Sequence, residues 1–537
     1  MEDSVTVWRQ PVGVHRSSTT VKVSLGMLGP ERYRCPAADA MKARGFRPNV
    51  VSEEKKELLE SFTFGPLMNE IDRLEDVEAQ GSGSWSGNGE SSRAVHDGVR
   101  TWTEHALTMY QKAFPSQPQF APTQDSGAQL VAVGRTWAYQ LKMHMPDRRG
   151  ANRYRISVWG RCLQSRDTRS RELRLLAHRH GRRRRTDAEI AVAAMVVANA
   201  APGPLPEQVR VVEVSLLDGH VDELFSGTAS EANALYQAHG RKALGQVADA
   251  MEYRPGPSCA QCSFADVCPA LPSVDGLMGI SDRTRPRRTW SPTNGRSYAA
   301  CPAREHMRRQ TLPTDDGIEY GPGPERGRAV HAHLAARHLR AGAGPCTSEI
   351  PDDWFPSGCA LPETEMALAR ELLRHHADVC PLLHQNGPIP LRAEPRLVFN
   401  DRAADLVVLV EPDLLYRDGD SWVWREVKTS ARNGNPPADP MHTYPQLALG
   451  VLLLARGALG GTRFRSRVEV EFLRPGGPDL LTLDPFTPAV HAMARDVIDH
   501  FVATWHRDDR FAPRTGPACA SCETARWCRA RVTEENG

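Results

Sequence analysis

Asp405-Leu-Val-Val-Leu-Val-Glu-Pro-Asp413-Leu-Leu-Tyr-Arg-Asp418-Gly419-Asp-Ser-Trp422-Val-Trp-Arg-Glu426-Val-Lys428-Thr-Ser430 decides how the chain is read. The apolar run from Leu406 to Val410, continuing through Leu414 and Leu415, predicts a strand. Asp418-Gly419 is a turn signal, and Trp422 to Val427 predicts the return strand of a β-hairpin. Strand side chains alternate between faces, so Trp424, Glu426 and Lys428 share one face while Val423, Arg425 and Val427 share the other. A carboxylate and an ammonium thus project side by side, and Asp413 on the neighbouring strand can reach them across the ladder.

Two carboxylates beside a lysine suit metal-assisted phosphodiester hydrolysis. The carboxylates hold a hard divalent ion, Mg2+ or Mn2+, that polarises the phosphate and acidifies a bound water; the lysine positions that water or steadies developing charge. A surface hairpin with an incidental ion pair has the same residues, so the rest of the chain must decide.

With 537 residues the chain is too long for one core, and several domains are expected. Its 40% hydrophobic and 25% charged content is ordinary for a soluble protein, and a net charge of +2 makes any nucleic-acid surface local. No apolar run approaches the roughly 18 residues of a membrane helix, and Met-Glu-Asp-Ser-Val lacks the regions of a signal peptide; no membrane partner and a cytoplasmic location are expected. Twelve cysteines in such a chain point to metal or cluster ligation rather than disulfides.

In chain order, Cys35-Pro36 precedes a helix, a charged helix lies within 52–75, and 79–93 is a Gly/Ser-rich insertion expected to be flexible. Arg161 to Arg185 holds ten arginines against Asp167 and Glu172. That run reads either as a solvated loop or, through Arg182, Arg183, Arg184 and Arg185, as a contact for nucleic-acid phosphates. Residues 188–198 predict an apolar helix, 211–217 a strand and 228–253 an amphipathic helix, which leads to Cys259-Ala-Gln-Cys262 and Cys268. Residues 273–288 read as a linker between domains at 1–272 and 289–537.

The second half repeats the first. Cys301-Pro302 follows Cys35-Pro36 (301 − 35 = 266), Gly327 follows Gly65 (262), Val468 follows Val212 (256) and Cys519 follows Cys259 (260). The C-x2-C-x5-C pattern of Cys259, Cys262 and Cys268 returns as Cys519, Cys522 and Cys528. Two copies of one domain are expected. Four thiolates drawn from both ends of a domain would staple it around a cluster or a zinc ion, whereas Cys162, Cys346, Cys359 and Cys380 fall outside the pattern and read as ordinary cysteines.

Pro412-Asp413 followed by Glu426-Val427-Lys428 resembles the PD-(D/E)XK nuclease superfamily, and the cysteine spacing resembles the iron–sulfur staple of its RecB-like, AddB-type members. The resemblance implies an α/β fold of two tandem restriction-endonuclease-like domains, each a mixed sheet flanked by helices. It implies a DNA nuclease with Asp413, Glu426 and Lys428 as catalytic residues, His331 of Gly-x-x-x-His joining Asp413 and Glu426 as metal ligands, and Gln446 contacting substrate or lysine. The tyrosine expected about four residues after Gln446 is Gly450 here, with Tyr444 a possible substitute, and Glu394 stands where such nucleases often carry a glutamate. A 4Fe–4S cluster on Cys301, Cys519, Cys522 and Cys528 is implied, with a second on Cys35, Cys259, Cys262 and Cys268, and zinc as the alternative occupant. In the first copy Asn69 aligns with His331, and an offset of 266 puts Pro146-Asp147 at the Pro412-Asp413 position but Gly160 and Cys162 at the Glu426 and Lys428 positions, so one active centre is expected. No Gly-Lys dipeptide of a Walker A motif occurs, so a helicase partner would be another chain. The setting implied is DNA repair, recombination or anti-phage defence; a non-catalytic DNA-end-binding scaffold built from nuclease folds is the competing reading.

Overall fold

The computed structural model describes residues 10–30, 34–49, 55, 57–75, 93–115, 129–144, 151–181, 183–200, 203–340, 344–356, 358, 361–383 and 389–531. Residues 79–92 of the insertion read at 79–93, together with Pro146, Asp147, Arg182 and Cys359, lie outside the described residues. The chain divides into two compact units: Met1–Ala270 with Met307–Pro313 and Trp527–Arg529, and Leu271–His306 with Thr314–Arg526 and Ala530–Gly537.

In the first unit, β1 (Val14–Arg16) and β3 (Phe46–Pro48) form a short antiparallel ribbon. Strand β2 (Val21–Ser24) joins β4 (Leu130–His144), β5 (Ala151–Ser165), β6 (Ser170–Ala177), β7 (Gln208–Ser215) and β8 (Val221–Gly227) in a six-stranded sheet. Its order is β2-β5-β6-β7-β8, with β4 also on β5. The helix Asp187–Asn199 packs on this sheet; Ala191 to Ala198 are all buried, which is why its sequence is apolar all round. Thr186 and Glu189 close its N-terminus as a reciprocal capping box. The amphipathic stretch 228–253 is helical from Ala229 to Asp249, with a π-turn at Tyr236–Gly240 where Gly240 lies against the Tyr236 ring.

The arginine run is not a solvated loop: most of it belongs to β5, β6 and their surroundings. Arg161, fully buried, pairs with Asp72 of the helix Phe64–Leu74 and with Glu75, which caps that helix. Arg171 donates to the carbonyls of Val197, Ala198, Ala200 and Pro204, thereby satisfying the C-terminal end of the apolar helix. Arg174 binds Glu172 and lies over the Phe114 ring.

In the second unit, β9 (Arg288–Trp290), β11 (Leu397–Asp401) and β12 (Leu406–Val410) form a three-stranded sheet, β12 running parallel to β9 and antiparallel to β11. Strands β10 (Leu391–Ala393), β13 (Leu414–Asp418), β14 (Ser421–Thr429), β15 (Arg467–Arg474) and β16 (Gly477–Leu483) form a five-stranded sheet in the order β10-β13-β14-β15-β16. The apolar run expected to be one strand is therefore two. Pro412 has no N–H to donate to a ladder, and at Glu411-Pro412-Asp413 the chain leaves one sheet for the other. The hairpin itself is as expected: Asp418 pairs with Ser421, and Gly419 takes the left-handed conformation (φ +60°) that the two-residue turn requires.

Helices cover both faces of the five-stranded sheet. Val427 packs with Val330 and Leu334 of the helix Pro322–His338 and with Leu372 and Leu373 of the helix Glu363–His376. Trp424, on the other face, lies against Gly450 of the helix Pro445–Ala455, which packs on Pro488–Arg507. The segment 273–288 is packed rather than a free linker. Leu277 and Met278 are fully buried, and the buried Asp401 carboxylate accepts the N–H groups of Gly276 and Met278 at 2.7 and 2.8 Å.

Candidate active site and cysteine centres

The break after Pro412 brings Asp413 to the edge of β14, where its Oδ2 accepts the Val427 N–H at 2.7 Å. Strand alternation puts Trp424, Glu426 and Lys428 on one face, and their hydrogen bonds join them. The Trp424 indole N–H donates to Glu426 Oε1 at 3.0 Å, and Lys428 Nζ donates to Glu426 Oε2 at 2.9 Å and to Asp413 Oδ2 at 3.2 Å. Gln446, at the start of the helix Pro445–Ala455, donates its Nε2 to Glu426 Oε2 at 3.2 Å. From the opposite layer, His331 brings Nδ1 to 3.0 Å from Asp413 Oδ1. Asp413, Glu426, Lys428, Gln446 and His331 thus meet in one place.

Burial opposes the charge on Asp413, but His331 and Lys428 outweigh it and hold that carboxyl well below the usual range. Glu426 goes the other way: burial raises it, Asp413 adds to the rise, and Lys428 and Gln446 only partly offset them. Lys428 and His331 are both raised, burial being outweighed at Lys428 by Glu426 and Asp413 and at His331 by Asp413. Two carboxylates with opposite shifts bracket one ammonium, an arrangement typical of functional sites.

A carboxylate offers about four lone-pair positions. Asp413 uses three, on Val427, Lys428 and His331; Glu426 uses three, on Trp424, Lys428 and Gln446. Each keeps capacity for a hard cation, so the donor set fits a divalent ion. Lys428 bridges the two carboxylates, and the set His331, Asp413, Glu426 is not among the described groups whose donor atoms all lie within 4.8 Å of one another.

Gly450 is explained by its neighbour: a Cβ there would come within 2.9 Å of the Trp424 ring. The space a tyrosine would take is filled by the indole that holds Glu426. Tyr444 instead sets its ring 5.7 Å from Lys428 Nζ. Glu394 sits in a left-handed bend after β10 (φ +47°), where its N–H donates to the Asp413 carbonyl and it lines a small cavity with His331, His338, His376 and Asp413.

The two cysteine sets share local geometry. Cys35 and Cys301 each precede a helix opened by proline, and each Sγ accepts a backbone N–H: Arg254 to Cys35 at 3.4 Å, Arg514 to Cys301 at 3.3 Å. The bonds Cys259 N–H to Gly256, Cys262 to Cys259 and Ala265 to Cys262 recur as Cys519 to Gly516, Cys522 to Cys519 and Ala525 to Cys522, each shifted by 260 (519 − 259). In the first set burial pushes the Cys259 thiol up to about 11, and nearby Cys262, Cys268 and Cys35 add to the rise. Neither cysteine set is among the described groups whose donor atoms all lie within 4.8 Å of one another. In the second set, Cys528 follows the short turn Ala525–Trp527.

Sheet register relocates the first unit's counterpart positions. Strands β5, β6, β7 and β8 pair antiparallel, parallel and antiparallel, as do β13, β14, β15 and β16. Glu426 is opposite Val470; the matching Val214 (470 − 256) is opposite Leu176. By strand pairing alone, Leu176 and His178 stand where the second sheet has Glu426 and Lys428, and Trp159 where it has Asp413, whereas a constant offset of 266 points to Gly160 and Cys162. The His178 ring lies 4.5 Å from Phe64 and 5.1 Å from Trp102, and Trp159 lies 5.2 Å from Phe62. Asn69 accepts from Arg135 at 2.7 Å. Of the arginines at 183–185, Arg183 and Arg185 both pair with Glu189, Arg185 also with Glu213, and Arg184 is exposed.

Sequence reasoning set aside Cys346 and Cys380, but they are not isolated: with His338 and His376 they form a buried group whose donor atoms all lie within 4.8 Å of one another. The local signal was His376-x3-Cys380 and His338-x7-Cys346. Nothing in the sequence says that these two pairs meet. An exposed group of His180, His220 and Asp222 is the other convergence of this kind among the described residues.

No helix among the described residues is long and apolar enough to cross a membrane. No curated protein matches the chain. A solved structure titled "Crystal structure of SSO0001" is similar at 15% identity over 46% of this chain and 87% of its own, with a TM-score of 0.24. Residues 289–529 match the family profile described as the PD-(D/E)XK nuclease superfamily, so this chain carries a domain of that superfamily.

Proposed function

We propose that the domain at 289–529 hydrolyses phosphodiester bonds of DNA and that the meeting of Asp413, Glu426, Lys428, Gln446 and His331 is its catalytic centre. The observation that carries this reading is the half-buried ammonium of Lys428 shared by two carboxylates. Asp413 and Glu426, with His331, would hold Mg2+ or Mn2+, which when bound supplies a Lewis acid for the phosphate and lowers the pKa of a water. His331 and the Val427 N–H fix the orientation of Asp413. Trp424 and Gln446 fix that of Glu426. Lys428 presents N–H donors beside both carboxylates, where it orients the attacking water or binds a phosphate oxygen as charge accumulates.

The two cysteine sets are proposed as 4Fe–4S staples, one on Cys301, Cys519, Cys522 and Cys528 and one on Cys35, Cys259, Cys262 and Cys268, with zinc the alternative. The recurring strand pairing and the recurring thiol hydrogen bonds support reading the chain as a tandem duplication. In that reading the first unit binds without cutting, since Trp159, Leu176 and His178 offer no carboxylate pair. Of its arginines from 183 to 185, Arg184 is the exposed one and the contact proposed for a phosphate. A role in repair, recombination or phage defence, with any helicase supplied in trans, is consistent with such an activity.

The deciding experiment incubates the full-length protein with labelled single- and double-stranded DNA and Mg2+ or Mn2+. Metal-dependent cleavage that disappears on adding chelator and in Glu426→Gln supports the reading. Retarded DNA without cleavage under any divalent ion would instead favour an end-binding scaffold.

A further inference from the structure

The group set aside by the sequence lies at the ends of two helices. His338 is the last residue of Pro322–His338, and His376 the last of Glu363–His376. Cys346 lies in the segment after the first helix, and Cys380 directly follows the short turn Ala377–Val379 after the second. All four are buried, and none is a carboxylate or a solvent-facing group.

Their spacing is that of a coordination sphere. Cys346 Sγ lies 3.4 Å and Cys380 Sγ 3.8 Å from His338 Nε2. Ligands on a tetrahedral zinc, with Zn–S of about 2.3 Å and Zn–N of about 2.0 Å, stand roughly 3.5 Å apart for a sulfur–nitrogen pair and roughly 3.8 Å for two sulfurs. The Cys380 sulfur also accepts the Cys346 backbone N–H at 3.4 Å, a contact that stabilises a thiolate. His376 places Nδ1 2.6 Å from Glu471 Oε1, and its buried Nε2 is left without a hydrogen-bond partner. A carboxylate beneath one ring nitrogen fixes the tautomer that frees the other nitrogen for a metal. Arg425 reaches the second Glu471 oxygen at 3.4 Å, so that carboxylate is held in turn.

We infer that His338, Cys346, His376 and Cys380 form a structural zinc site. Four protein ligands leave no open position, so the ion would be structural rather than catalytic. Soft thiolates with imidazoles favour zinc over the hard ions that suit Asp413 and Glu426. The site ties the ends of two helices to β15 through Glu471. His331 lies seven residues before His338 on the same helix, about two turns away and on the same side. Clamping the helix end at His338 therefore holds His331 in register with Asp413. The site is argued from its own geometry and does not depend on whether the chain cuts DNA.

The test measures zinc and iron per chain in untagged full-length protein purified without chelator. The expected result is one zinc equivalent that is lost in Cys346→Ser and Cys380→Ser, retained in His376→Cys, and accompanied by unchanged iron. Equal zinc in wild type and Cys380→Ser overturns the inference. So does a Cys346–Cys380 disulfide found by mass spectrometry of unreduced, denatured wild-type protein. If the serine variants do not fold, X-ray absorption at the zinc edge of the wild type decides: a shell containing both sulfur and nitrogen is expected, while a sulfur-only shell or the absence of zinc overturns the site.

Discussion

Lys428 is held by two carboxylates, and each carboxylate has a further donor that Lys428 does not supply, so single substitutions should separate chemistry from folding. Glu426→Gln keeps an acceptor for Trp424 and Gln446 but loses the charge; cleavage of labelled DNA should fall by about 100-fold or more while the thermal midpoint changes little. Full cleavage by that variant would remove Glu426 from the centre. Gly450→Ala tests the wall behind it. The added Cβ would press on the Trp424 ring, so denaturant unfolding should show a loss of about 1–3 kcal/mol, with reduced cleavage as Glu426 loses its indole donor. Unchanged stability would mean that the helix shifts to make room. The sequence revealed Asp413, Glu426 and Lys428 because strand alternation is a local rule. It could not reveal Trp424 as the holder of Glu426, since that role depends on the close approach of Gly450 from another element.

At the scale of elements, β14 and β15 are joined by more than their ladder. Arg425 donates to Glu469 at 2.7 Å, Arg467 donates to the same carboxylate, and Tyr416 gives it a third hydrogen bond at 2.9 Å. Burial works against the charge on Glu469, but Arg425 and Arg467 outweigh it and hold the carboxyl below the usual range. A carboxyl depressed in the folded state contributes stability that is complete above its unfolded pKa of about 4.3 and is lost as pH falls through the folded value. Glu469→Gln should therefore cost about 3 kcal/mol near neutral pH, and the gap to wild type should narrow below about pH 4 in urea titrations. A gap that stays constant with pH would mean that the pairing does not set the acid response. The elements themselves were largely legible. The hairpin, the apolar helix at 187–199 and the strand at 208–215 follow from period and composition. Three readings differed for non-local reasons: the strand divides because Pro412 falls between two sheets, 273–288 is anchored by a distant Asp401, and Arg161 of β5 finds its acidic partners, Asp72 and Glu75, far away in sequence.

Taken as a whole, the chain repeats a strand pairing and a set of cysteine turns, while the Asp413 and Glu426 carboxylates that share Lys428 lie in the second unit. Full-length protein with both Asp413→Asn and Glu426→Gln should retain DNA in a mobility assay and cut none of it with Mg2+ or Mn2+; residual cleavage would place a second centre in the first unit. Anaerobically purified protein should contain iron and acid-labile sulfide in about equal amounts, with part of both lost in Cys519→Ser; protein holding only zinc would exclude the clusters. The recurring cysteine turns were legible in the sequence because cysteine spacing survives changes in loop length, whereas the recurring strand pairing was not, because an offset drifts with every loop. In the first unit β5 runs unbroken from Ala151 to Ser165, with Trp159 inside it, where the second unit breaks at Pro412. Under the proposed duplication, activity would be hard to build into the first unit. Placing Asp, Glu and Lys at positions 159, 176 and 178 would put the right side chains on strands that stay in one sheet, without the change of sheet that brings Asp413 to the Val427 N–H. The chemistry proposed for the second unit would need a backbone rebuilt around a proline as well as three codons changed.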